Sequence, residues 1–189
     1  MKTGLGIQKM NRKMIARINL WRFTFRKIFF GFDLANHFLS GRDKFSIQLI
    51  LKKNGASIGN DCDLESGLRF HNCRDYRNLK VGNNCHIGKD CFFDLRERIS
   101  IGNNVVISMQ CTFITHLDMT QSRLSKVYPS ESAPVSIGND SYLGARSTVL
   151  MGVDIGERVI VSACALVRDS VPGNSLVAGV PTKLIKTIG

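Results

Sequence analysis

Residues 137–167 read IGNDSY LGARST VLMGVD IGERVI VSACAL V, and an aliphatic residue opens every block of six. The leads are Ile137, Leu143, Val149, Ile155, Val161 and Val167, without a slip. An α-helix cannot put every sixth residue on one face, because six steps of about 100° leave the side chain about 120° from its start. A flat strand would show apolar residues at every second position instead. A triangular coil of short strands fits: each block forms one side, and its leading aliphatic points inward. Such a fixed period is the mark of a solenoid.

Working outward, the same phase appears in Ile58, Leu64 and Phe70, in Val81, Ile87 and Phe93, and in Ile101, Ile107 and Phe113. Glycine often follows the lead, and Asn or Asp often comes next, as in Gly59-Asn60-Asp61 and Gly102-Asn103-Asn104. These residues tolerate positive φ, which a corner in every repeat requires. Four positions after the lead stands a small or β-branched residue, including Cys62, Cys85, Cys91, Val105, Cys111, Ser141, Ser147, Val153, Val159 and Ala165. That is the expected second inward position. Four of the six cysteines fall there and no Cys-x-x-Cys pair occurs, so they read as small buried hydrophobes, reduced, rather than metal ligands.

Charge divides the chain. Residues 1–53 hold 12 Lys/Arg against two Asp/Glu, a net of +10, whereas residues 54–189 hold 14 against 13. A basic arm on a neutral body argues against nucleic acid as the partner. The expected organisation is a helical N-terminal extension over 1–53, a β-helix over 54–170 and a C-terminal tail or cap over 171–189. Residues 117–134 lack the repeat although its phase resumes at Ile137, so they form a loop projecting from one edge. Within 9–32, Met10, Met14, Ile18, Trp21, Phe25, Ile28 and Phe32 recur at intervals of three or four, with Lys9, Arg12, Lys13, Arg22, Arg26 and Lys27 mostly between them. This cationic amphipathic helix either caps the coil's open first end or lies against an anionic membrane. No uncharged apolar run of about 18 residues occurs and no signal-peptide pattern opens the chain, which points to the cytoplasm or the inner face of the plasma membrane.

Three stretches resemble the bacterial hexapeptide-repeat acyltransferases, a family that includes galactoside, maltose and serine acetyltransferases. They are Ile101–Ser108 with Phe113-Ile-Thr-His116, Ala133–Ala145, and Val161–Pro172 with Val177-Ala-Gly-Val-Pro-Thr-Lys183-Leu-Ile-Lys186. The resemblance spans roughly residues 55–186, with a flavour of the branch that acetylates cell-surface polysaccharide intermediates. It implies a left-handed parallel β-helix, a homotrimer with sites between subunits and acetyl-CoA as donor; β-helices of this kind also include zinc carbonic anhydrases with three histidines, but no second histidine stands within a few residues of His116, so no metal is expected. It also implies a catalytic histidine where the coil gives way to the long loop, which is His116 here. A sugar hydroxyl must lose its proton as it attacks a thioester, and a neutral imidazole suits that task. By the same resemblance Asp94 is a candidate acceptor ligand, or else a corner residue; Asp118, two residues after His116, is a candidate either to orient the imidazole or to touch the acceptor. Ala145, Ala163, Val167, Arg168, Lys183 and Lys186 match donor-binding positions. His37, His71 and His86 are read as surface groups. The acceptor is expected to be a small-molecule or lipid-linked sugar. Transfer to an amine or to serine stays open on this scaffold, as does a non-catalytic scaffold protein, against which His116 and the Ala178-Gly-Val-Pro181 ending argue.

Overall fold

The computed structural model describes residues 3–189, with side chains from Asn11 onward. Three helices, α1 (Thr3–Phe30), α2 (Phe32–Ser40) and α3 (Lys44–Lys53), lead into a left-handed parallel β-helix. Its first face stacks Ser57–Ile58, Leu79–Val81, Ile99–Ile101, Val135–Ile137 and Asp154–Ile155. The second stacks Asp63–Leu64, His86–Ile87, Val106–Ile107, Tyr142–Leu143, Ile160–Val161 and Ser175–Ala178. The third stacks Arg69–His71, Phe92–Asp94, Thr112–Phe113, Thr148–Val149 and Leu166–Val167.

The register is that of the repeat: Ile101 pairs with Ile137, Ile107 with Leu143, Phe113 with Val149. Each lead is buried, and on the third face Phe70, Phe93 and Phe113 stack with ring centroids 5.5 and 5.0 Å apart. The second inward position does more than fill space. Cys85, Cys91, Cys111 and Ser141 lie 3.0–3.2 Å from the carbonyls of Gly102, Ser108, Gly144 and Gly156, one coil on. Cys62 makes the same contact with Gly82 at 3.0 Å.

At the corner between the first and second faces, Asp61, Asn84, Asn104 and Asp140 take φ of 54–60°. Here Asn83 accepts from the Asn60 amide, Asn103 from that of Asn83, and Asn139 from that of Asn103. Close stacking demands glycine beside this ladder: a Cβ on Gly82 would lie 2.5 Å from the Gly102 carbonyl oxygen. At the next corner Gln110, Arg146 and Cys164 adopt φ near 60°, although none is a turn-former. Left-handed backbone costs such residues roughly 1–2 kcal/mol each, offset by the coil's hydrogen bonds and core.

The coil does not stop at 170. Val171 bridges to Ile155, and Ser175–Ala178 runs parallel to Ile160–Val161, because Val171 and Val177 still occupy inward positions. Lys183–Thr187 then returns antiparallel along Ser175–Ala178 as an exposed edge strand.

At the other end α3, N-capped by Asp43, sets Ile47, Ile50 and Leu51 against Ile58 and Leu64, and α2 adds Ala35 and Leu39. These helices cover the first coil. The long helix α1 lies on them through Ala16, Asn19 and Phe23, with Asn19 donating to the Ser46 hydroxyl at 3.0 Å. The apolar stripe read as facing either the coil's end or a membrane points away from the coil: Met14, Ile18, Trp21, Phe25 and Ile28 are exposed. Phe32 belongs to α2, and the side chains of Lys9 and Met10 lie outside the described residues.

Candidate active site

Three successive strands of the third face end at one corner, and they bring Asn72, Asp94 and His116 together. His116 opens the stem of the projecting arm, where His116–Leu117 pairs antiparallel with Glu131–Ser132 and a 3-10 turn spans Arg123–Lys126. Asp94 ends the strand one coil below, its side chain 1% exposed. Its Oδ2 lies 2.5 Å from His116 Nδ1 and accepts from the Thr115 amide and hydroxyl, each at 2.9 Å. Its Oδ1 accepts from Asn72 Nδ2 at 2.9 Å. Burial pushes the Asp94 carboxyl up, but the bonds from His116, Thr115 and Asn72 outweigh it and hold it below the usual carboxylate range.

This arrangement defines the imidazole. A carboxylate on Nδ1 can only accept, so Nδ1 carries the proton and Nε2 is left as the basic nitrogen. His116 is 21% exposed, and the Asn72 amide lies 3.4 Å from both ring nitrogens.

Asp94, expected as an acceptor ligand or a corner residue, is buried beneath His116 with both its oxygens engaged. Asp118 does not orient the imidazole: Oδ1 accepts from Thr120 and Ser130, and Oδ2 lies 3.4 Å from Arg96. It ties the base of the arm, and the Thr120 hydroxyl bond leads in holding its carboxyl low. Asn72 and Thr115 were not singled out by sequence. The available signal was their shared phase, two residues past Phe70 and Phe113.

The donor-binding candidates lie elsewhere. Ala145 and Ala163 stack one coil apart at the corner between the second and third faces, where a Cβ on Gly144 would come within 2.4 Å of the Ala163 nitrogen. That corner carries Lys89 and Met109 on earlier coils and drops to Ala145, Ala163 and Gly179, a shelf poor in side chains. Val167 is fully buried and its carbonyl accepts from Leu150, so it offers no side chain to a ligand. Arg168 pairs with Asp169 at 3.0 Å. Lys183 and Lys186 stand exposed on the edge strand beyond the shelf. His37 and His71 are exposed, and His86 faces Asp63 at 3.6 Å. Among the described residues no three His, Cys, Asp or Glu side chains form a metal-binding group.

A family model described as the hexapeptide repeat of succinyl-transferase matches residues 78–110 and 134–166. A Bacillus subtilis protein provisionally named acetyltransferase YvoF is 32% identical over 124 residues, 64% of this chain and 67% of the relative. The chain belongs to the hexapeptide-repeat acyltransferase family. Galactoside O-acetyltransferase of Escherichia coli is 27% identical over 145 residues, 74% of this chain and 67% of that protein. The solved structure of a galactoside acetyltransferase in complex with coenzyme A superposes with a TM-score of 0.71 at 23% identity, covering 100% of this chain and 84% of that one. This family member is an acetyltransferase.

Proposed function

We propose that the protein transfers an acetyl group from acetyl-CoA to a hydroxyl of a sugar or cell-surface polysaccharide intermediate, with His116 as general base. The observation that carries the reading is the 2.5 Å contact between His116 Nδ1 and buried Asp94, which leaves Nε2 as the base. Nε2 takes the hydroxyl proton as the oxygen attacks the thioester carbonyl. The tetrahedral intermediate collapses with cleavage of the C–S bond, and the imidazolium returns the proton to the leaving thiolate. Asp94 stabilises that imidazolium and holds the ring in place. The likeness to galactoside O-acetyltransferase favours a sugar hydroxyl over an amine.

The coenzyme A held by the related galactoside acetyltransferase supports the donor. The shelf at Ala145 and Ala163 leaves room for an extended thiol arm, and Lys183 and Lys186 offer charge for its phosphates. His116 and this shelf flank opposite edges of the third face, so one chain keeps base and donor apart. A homotrimer brings the histidine of one copy to the shelf of the next. An exposed in-register column of Val106, Tyr142 and Ile160 on the second face suits such a contact.

Mixed trimers test both ideas. His116→Ala and Ala163→Trp chains are each expected to be inactive alone, with His116→Ala lowering turnover about 10²–10⁴-fold. Assembled together in equal amounts they regain roughly a quarter of wild-type activity, since one junction in four joins an intact histidine to an intact shelf. Mixtures as inactive as their parents refute the shared site, and an active His116→Ala parent refutes the base.

The outer stripe of α1 supports peripheral membrane contact. No helix of the described residues is long and apolar enough to cross a membrane. Yet Met14, Ile18, Trp21, Phe25 and Ile28 form an exposed apolar band between Lys13 and Arg17 on one side and Arg22 on the other. Cations flanking an apolar band suit a helix lying in an anionic surface, near lipid-linked acceptors.

A further inference from the structure

A cavity of about 930 Å³ opens between α2 and the first two strands of the third face. Its walls include Arg69, Arg74, Arg96, His37, His71 and Phe92, with Asp33 the only carboxylate. Arg69 and Arg74 are exposed, and among the described residues neither has a carboxylate within salt-bridge distance. Arg96 reaches only Asp118, at 3.4 Å. A second cavity of about 400 Å³ shares Asn72, Cys73, Arg74 and Arg96 with the first and adds Arg98 together with Asp75 and Arg77, which pair with each other at 2.6 Å. The basic lining therefore continues past the corner rather than ending at it.

Two placements tie this cavity to the reaction. Asn72 lines it and lies 3.4 Å from the His116 ring, so a ligand seated there is one side chain away from the base. It also lies on the coils before His116, whereas the small-residue shelf at Ala145 and Ala163 lies on the coils after it and at another corner. The donor's phosphates already have Lys183 and Lys186 at the far end of the coil, which leaves these cations free for another ligand. A neutral sugar needs hydrogen-bond donors and acceptors, not several guanidinium groups with so few counter-charges. Guanidinium forks match phosphate oxygens two at a time. Phe92 and His71, with ring centroids 6.0 Å apart and planes tilted by 37°, offer aromatic faces for the ring of a sugar.

We propose that this cavity binds the phosphate or diphosphate handle of a glycosyl acceptor, holding its sugar against His116. The inference rests on the acyltransferase reading for which end of the ligand reacts, but the binding itself does not. Diphosphate is common to nucleoside-diphosphate sugars and polyprenyl-diphosphate sugars, and both are recognised by the same chemistry.

The test titrates the full-length protein, saturated with coenzyme A, with pyrophosphate in a calorimeter. Binding that weakens about tenfold in Arg69→Gln and in Arg74→Gln, and at least as much in the double variant, supports the proposal. These exposed positions leave the fold intact, which circular dichroism checks. His116→Ala is expected to bind pyrophosphate like the wild type, so a failed general base and a failed phosphate site give different results. A nucleoside-diphosphate sugar and a polyprenyl-diphosphate sugar in detergent are then titrated beside the corresponding free sugar. Tighter binding of either phosphorylated form, lost in the double variant, supports the proposal and identifies its source. Pyrophosphate affinity unchanged in the double variant, or phosphorylated ligands bound no better than the free sugar, overturns it.

Discussion

Replacing Asp94 with asparagine keeps the side chain's size and removes its charge. In the wild type that carboxylate receives Thr115, Asn72 and the His116 Nδ1–H, and stays ionised. Asparagine retains one accepting oxygen. If it stays toward His116, the tautomer survives, and the loss is concentrated where the imidazole becomes an imidazolium. Charge centres about 4 Å apart interact by about 4 kcal/mol at an effective dielectric near 20. At about 1.4 kcal/mol per decade, turnover is expected to fall about 10²–10³-fold. If the amide turns the other way, its N–H₂ meets the Thr115 and His116 donors, and a buried clash of donors adds about 1–3 kcal/mol of instability. The assay is steady-state coenzyme A release, with donor affinity measured separately and expected to be unchanged. Stability gives an independent reading. A carboxylate whose folded pKa is depressed contributes stability above its unfolded value of about 3.9 and loses it as pH falls through the folded value. Asp94→Asn should therefore show a shallower loss of melting temperature than wild type in that acid window. Turnover within threefold of wild type, in a variant with an intact fold, would refute the claim that Asp94 powers His116.

Two further outcomes are expected. Ala163→Trp should abolish calorimetric coenzyme A binding while the coil keeps its circular dichroism; unchanged affinity would move the donor away from the shelf. Trp21, the only tryptophan and 68% exposed, should shift its fluorescence to the blue on adding phosphatidylserine vesicles, with partial reversal in high salt. A spectrum already blue without vesicles, or indifferent to them, withdraws the membrane reading.

The amino-acid sequence by itself determined the coil, because inward positions recur every six residues and each lead needs only its own phase to be recognised. It also located His116, where the phase breaks. What surrounds that histidine came from tertiary structure. Asp94, Thr115 and Asn72 stand one, two and two residues past their leads, and the offset by which strand ends meet depends on how each corner turns. Hence the sequence left Asp94 as an acceptor ligand or a corner residue and the structure seats it under His116, while Asp118, nearer in sequence, bonds within the arm. The N-terminal helix shows the same limit. Its amphipathic stripe was legible, but the Ala16–Asn19–Phe23 stripe is the one that packs: Phe23 is buried against Phe32 and Tyr76, and Asn19 hydrogen-bonds Ser46. Periodicity says which residues share a face. Only packing decides which face is covered, and which charges are left to meet a ligand.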